Sequence, residues 1–190
     1  MEIDTSIVLV LRTKTDSVLT PFPEQLDFVL DADFDSATTH YSGFLFNSAN
    51  RQTENIIESL NKALRTKGYT IFTLEQNFGI ENKPDILAIL HCSDKYEILK
   101  QVQTNGINWE IDNDSVINIV KKFDKKYSLD LVGAGFDWCE FIINNNVEDW
   151  LTFAKEAYKV CPDIVEQGTG TVEKLADEMK RTKRLYFWWD

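Results

Sequence analysis

The chain closes on RLYFWWD, Arg184 to Asp190. Read as a strand, this stretch puts Leu185, Phe187 and Trp189 on one face and Tyr186 and Trp188 on the other. Both faces are apolar, which predicts a buried strand interior to a sheet and covered on both sides. Chain ends usually fray. Burying this one costs little loop closure, and each large side chain returns about 1.5–3 kcal/mol. The tail is therefore expected to supply a central strand.

Working back from the tail, Val172, Leu175, Ala176 and Met179 share one helical face, with Thr171 as cap. Lys180, Arg181, Lys183 and Arg184 follow its last turn, where cations suit the helix dipole. Gly168–Gly170 reads as a loop. Trp150, Phe153, Ala154 and Ala157 mark another helix, capped by Asn146 and stopped by Pro162. Trp138–Ile143 and Leu129–Val132 read as strands joined at Gly133–Gly135. Val116, Ile117, Val120 and Phe123 give a helix capped by Asp112 or Asp114. Ile107–Ile111 is a short strand or an ordered loop.

Further upstream, Tyr69–Leu74 and Asp85–Cys92 read as strands between helices marked by Ile56, Ile57, Leu60, Ala63 and Leu64 and by Ile98, Leu99 and Val102. Three more strands are expected at Ser6–Leu11, Leu26–Leu30 and Ser42–Asn47. A helix–strand–strand–helix order recurs at 51–103 and 114–160, each with a Lys-x-Tyr step (Lys67 and Tyr69; Lys125 and Tyr127). Two readings stand: an internal two-fold pseudo-repeat, or a common order met twice. The fold class is α+β, a mixed or antiparallel sheet with helices packed on it. One domain is expected over 1–190, made of an acidic, variable N-terminal segment at 1–49 and an α+β core at 50–190.

Composition narrows the function classes. The net charge is −11, from 31 acidic and 20 basic residues. Such a surface repels nucleic acid and anionic membranes, and it suits solubility alone or a basic protein partner. No apolar run approaches a membrane span, and the N-terminus lacks a signal peptide's basic start. A cytoplasmic protein is expected. Cys92, Cys139 and Cys161 are widely spaced, with no C-x-x-C, against both a disulfide framework and a zinc site. No cofactor or metal is expected.

Motifs for catalysis are incomplete. Asp31, Asp33 and Asp35 begin like a calcium loop, but Ser36 and Ser42 stand where Gly and Glu are needed. His91 and Cys92 are strand neighbours and point to opposite faces, so they cannot form a dyad. The Glu166–Lys174 stretch has no phosphate-loop spacing. Four carboxylates remain as catalytic candidates: Asp137, Glu140, Asp163 and Glu166. A carboxyl beside an indole can be held neutral as a general acid. Binding candidates are Trp109, Trp138, Gln167, Gly168, Thr169, Gly170, Trp188 and Asp190.

Several of these residues form a pattern. Thr104-Asn105-Gly106, Gly133-Ala134 with Asp137, Cys161-Pro162-Asp163, Gln167-Gly168 and Leu185-Tyr186 with Trp188-Trp189-Asp190 together resemble a bacterial family, domain of unknown function 4253, over about residues 104–190. Trp109 stands where that family is expected to have Tyr. The resemblance implies one cooperative unit ending in the sheet and no particular activity. The expected function is a non-catalytic protein-binding protein, one form of which is an acidic immunity or inhibitor protein. The alternatives are a small hydrolase or transferase using carboxylates, or a small-ligand module at Gly168–Gly170.

Overall fold

The computed structural model describes residues 5–24, 26, 40–49 and 52–190. The chain divides into two compact units, Met1–Gln101 and Val102–Asp190. The sequence reading placed a single domain here with its break near residue 49. The fold class is α+β, as expected.

The first unit holds α1 (Thr5–Arg12), β1 (Thr20–Pro21), β2 (Gly43–Ser48), α2 (Thr53–Arg65), β3 (Thr70–Glu75), β4 (Asp85–Leu90) and α3 (Lys95–Val102). Its strands run β1-β2-β4-β3, every neighbour antiparallel. Phe72 and the run Leu87–Leu90 are fully buried. The expected strand at Ser6–Leu11 is a helix instead. Ile7 and Leu11, one turn apart, are fully buried while Leu9 between them is 66% exposed. A strand would have put all three on one face. The expected strand at Leu26–Leu30, Leu26 aside, and the run Asp31, Asp33 and Asp35 lie outside the described residues.

One buried carboxylate of this unit escaped the sequence reading. Asp85 is 4% exposed. Thr53 Oγ1–H donates to its Oδ2 at 2.7 Å, and the Asn77 N–H to its Oδ1 at 2.9 Å. It ties the start of α2 and the β3–β4 turn to the start of β4. His91 is exposed and stacks on Tyr69 with centroids 4.5 Å apart, while Cys92 is buried.

The second unit holds α4 (Asn113–Tyr127), β5 (Leu129–Ala134), β6 (Trp138–Ile143), α5 (Trp150–Val160), a π turn (Ile164–Thr169), α6 (Val172–Thr182) and β7 (Arg184–Trp188). Asp112 caps α4 by accepting from the Ser115 N–H. Asp149 caps α5, one turn later than the expected Asn146. The expected loop at Gly168–Gly170 is mostly the end of the π turn, closed by Gly170 in the left-handed region. Of the two expectations for Ile107–Ile111 the ordered loop is found, with a single 3₁₀ turn at Ile107–Trp109. The helix–strand–strand–helix order occurs once in each unit. Its Lys-x-Tyr steps do not coincide: Lys67 and Tyr69 follow α2, whereas Lys125 and Tyr127 end α4.

The tail is a strand, but not a central one. Its unit's order is β5-β6-β7, so β7 pairs with β6 and forms the edge. Leu185 and Phe187 are fully buried. They belong to a face covered by α4 and α5: Phe123 meets Phe187 edge-on at 5.4 Å, and Tyr127 stacks on Phe153 at 3.9 Å. Edge strands offer unpaired backbone groups to other chains. Here the Cys161 thiol closes part of that edge. Its Sγ accepts from the Trp188 N–H at 3.2 Å and donates to the Trp188 carbonyl at 3.0 Å.

Candidate functional site

Three loops of the second unit meet at the tail. The first follows α3. Thr104 Oγ1–H donates to the Gly135 carbonyl at 2.8 Å, and the Asn105 N–H to the Phe136 carbonyl at 2.8 Å. Asn113 Nδ2–H holds the Thr104 carbonyl from the start of α4. Gly106 and Ile111 then exchange backbone hydrogen bonds, which closes the loop 106–111 on itself. A Cβ at Gly106 would lie 2.7 Å from Trp189 Cγ, so this backbone can rest on the indole only as glycine.

The second loop is the β5–β6 turn. Gly133 and Ala134 still belong to β5, so the chain reverses later than expected, across Gly135–Asp137. Trp138 lies over this turn. A Cβ at Gly135 would be 2.0 Å from its Nε1. Trp138 also stacks on Tyr186, with centroids 5.7 Å apart. The Asp137 carbonyl accepts the Trp189 N–H at 2.9 Å, and its carboxylate takes a hydrogen bond from the Trp188 side chain. Burial pushes the Asp137 carboxyl above the usual carboxylate range, and the nearby Asp190 adds to it.

The third loop is Cys161-Pro162-Asp163. Asp163 is 3% exposed and takes three N–H donors. Trp109 Nε1 donates to its Oδ2 at 2.6 Å, the Asp190 N–H to the same oxygen at 3.0 Å, and Gln167 Nε2 to its Oδ1 at 3.1 Å. The carboxylate therefore joins the first loop, the π turn and the tail. Trp189, 1% exposed, completes the lock by donating from Nε1 to the Val160 carbonyl at 3.0 Å.

The four candidate carboxylates serve separate tasks. Asp137 and Asp163 both hold the tail. Glu140 pairs with Arg184 at 3.0 Å, their side chains 18% and 20% exposed. Glu166 is exposed and accepts from the Tyr158 hydroxyl at 3.0 Å. Burial, and then the charges of Glu140 and Asp137, push the Tyr186 phenol up. Burial also pushes the Cys161 thiol up to about 12, far from a nucleophile's range. The Thr169 hydroxyl donates to the Thr171 carbonyl at 3.0 Å, with the Ile164 carbonyl at 3.4 Å as the alternative acceptor. Among the described residues no group of three or more His, Cys, Asp or Glu could hold a metal ion. No helix among them is long and apolar enough to cross a membrane.

One binding candidate stands apart. Trp109 is 42% exposed although its indole N–H is anchored to a buried carboxylate, and Ile107 beside it is 61% exposed. Glu110, Asp112 and Asp114 follow within five residues of Trp109 along the chain, all exposed. Asp112 is spent on capping α4, and the Ser115 hydroxyl and N–H hold its carboxyl below the usual range. Among the described residues Glu110 and Asp114 make no ion pair. Sequence reasoning singled out Trp109, with Glu110 beside it as an acid next to an indole, but gave Ile107 and Asp114 no binding role. The available signal was a run, INWEIDND, with apolar and acidic residues and no base.

The family model described as "Domain of unknown function (DUF4253)" matches residues 86–190, more than half of the chain and wider than the 104–190 stretch that suggested it. No curated protein and no solved structure matches the chain.

Proposed function

We propose that this chain, which belongs to the family of domain of unknown function 4253, is a non-catalytic cytoplasmic protein-binding module that takes a basic partner on the loop 107–114. The observation that carries the reading is Trp109: 42% of it faces solvent while its N–H is fixed at 2.6 Å on buried Asp163. A rigid, half-exposed tryptophan with an apolar neighbour is the composition of an interface hot spot. Its geometry is already set, so binding loses little rotamer entropy there.

Charge favours a basic partner. Glu140, Glu156 and Glu81 each have an internal cation, with Arg184, Lys126 and Lys83 respectively. Glu110 and Asp114 have none among the described residues, and both lie within five positions of Trp109 in sequence. Like charges left together at a surface repel, and a cationic partner relieves them while speeding encounter. An acidic inhibitor of a basic protein is one form this function takes.

The test compares the tagged chain with Ile107→Ser and with the pair Glu110→Gln, Asp114→Asn. Capture from host lysate is run at ~0.15 M and ~1 M salt, which separates screened from unscreened contacts. A stoichiometric protein captured by the wild type should be lost with Ile107→Ser, and its retention should fall with salt and with the charge pair. Capture that ignores all three changes would refute this loop as the interface.

A further inference from the structure

We infer that Trp109 is an arginine platform: the partner presents a guanidinium that stacks on the exposed indole and bonds to Glu110 or Asp114. The inference rests on the protein-binding reading above and names the chemistry that the same loop recognises.

The five tryptophans differ in what their rings have left to offer. Trp138 is 8% exposed and Trp189 1%. Trp188 is half-buried and bonded to Asp137. Trp150 already carries a cation of this chain, with Lys183 Nζ 4.5 Å from its ring centroid. Trp109 alone combines an exposed ring with carboxylates that lack a cation among the described residues. Among the described residues the chain thus fills one tryptophan–cation contact internally and leaves the parts of a second one open.

Arginine fits those parts better than lysine. Its guanidinium is planar, weakly hydrated and stacks on an indole face while its edge donates to a carboxylate. An ammonium is a hydrated point charge and gains less from the ring. Stacking also needs a ring that stays put. The Asp163 hydrogen bond, the paired Gly106 and Ile111 and the left-handed turn at Glu110 (φ 57°) fix Trp109 before any partner arrives.

The test uses peptides on one Gly-Ser framework, differing at a central position that is Arg, Lys, citrulline or Glu. Binding is read on the full chain by the Trp109 indole N–H resonance, assigned with Trp109→Phe. The Arg peptide should shift that resonance and bind about two- to fivefold tighter than the Lys peptide, the ratio an exposed cation–aromatic contact gives. Citrulline and Glu peptides should not shift it. Trp109→Leu should erase the preference for Arg over Lys. Glu110→Gln with Asp114→Asn, which alters only exposed side chains, should weaken both cationic peptides and keep the preference. Equal Arg and Lys binding with an unmoved Trp109 resonance would overturn the platform and leave an acidic interface. No peptide binding, with lysate capture still lost in Ile107→Ser, would overturn the platform while the protein-binding reading stands. Loss of both dependences would remove the two together.

Discussion

Replacing Asp163 by Ala removes the acceptor that joins the 106–111 loop, the π turn and the tail. Three N–H donors lose their partner. A hydrogen bond to a charged acceptor contributes about 1.5–3 kcal/mol net. The donors are not equally stranded: Trp109, Gln167 and Asp190 are all exposed enough to regain water. That discounts the three bonds to a total near 2–4 kcal/mol. Asn at the same position sharpens the test. Turned with its carbonyl toward the Oδ2 position, it still accepts from Trp109 and Asp190. Its amide then meets Gln167, which can rotate to present its own carbonyl. Asp163→Asn should therefore cost roughly 1 kcal/mol, well under half the Ala effect. Urea unfolding followed by tryptophan fluorescence suits the question, because all five tryptophans lie in the second unit. An Asn variant as damaged as the Ala variant would refute the reasoning, since charge rather than hydrogen-bond geometry would then be holding the loops. So would an Ala variant within ~0.5 kcal/mol of the wild type, the range of ordinary surface changes.

Trp189→Ala, at a side chain 1% exposed, should cost about 3–5 kcal/mol by the same assay, and deleting Phe187–Asp190 should abolish soluble folding; a truncated chain with unchanged melting temperature would contradict the buried tail. Gly135→Ala should destabilise by more than ~1 kcal/mol, because its Cβ would sit 2.0 Å from Trp138 Nε1, and a neutral result in thermal melting would mean that the indole moves aside. Alkaline pH should weaken the second unit. The Cys161 thiol is pushed up to about 12 in the folded chain from an ordinary value of 9.0, so its contribution is complete below pH 9.0 and is lost as pH rises towards 12. The raised Cys139 and Tyr186 act in the same direction, and urea midpoints that stay flat between pH 8 and 11 would count against all three.

Long periodic elements were legible from the sequence because their signal is local. The face Val116, Ile117, Val120 and Phe123 marked α4, and of the two expected caps Asp112 is the one used. Two failures share a cause. At Ser6–Leu11 every residue after Ser6 is apolar and three are β-branched, so composition suggested a strand, whereas tertiary burial selected Ile7 and Leu11 at helical spacing. At the tail, two apolar faces were taken to mean an interior strand. They mean only that both faces are covered to some degree; pairing on the strand's edges is a separate property. Cys161 satisfies the Trp188 edge groups from another loop, and no local pattern announces a thiol in that role. The candidate site was legible as a set of residues, not as an arrangement. Asp163 was among the suspects, but its acceptance of Trp109 spans 54 positions and could not be read along the chain.

That arrangement gives the family pattern a physical meaning. Thr104 and Asn105 bind the β5–β6 turn, and Gly106 makes room for Trp189. Asp137 receives the tail backbone, Cys161 closes its edge, and Asp163 gathers Trp109, Gln167 and Asp190. Nearly every residue that carries the resemblance is occupied with holding another one. A carboxylate already committed to three donors has little freedom to serve a substrate, and a buried thiol held protonated is a poor nucleophile. The pattern thus accounts for a scaffold that fixes the C-terminal tail and the loops around it. On the proposed reading, binding falls to side chains that the scaffold positions without consuming. Ile107, Trp109 and Glu110 lie in the loop held by the Trp109 N–H and the Gly106–Ile111 pair, Asp114 lies in the first turn of α4, and all four are exposed. If the lock exists to present that loop, Asp163→Ala should weaken partner binding about as much as Trp109→Leu does, although Asp163 itself is buried away from any partner. Full binding by an Asp163→Ala protein that is still folded would separate the scaffold from the interface.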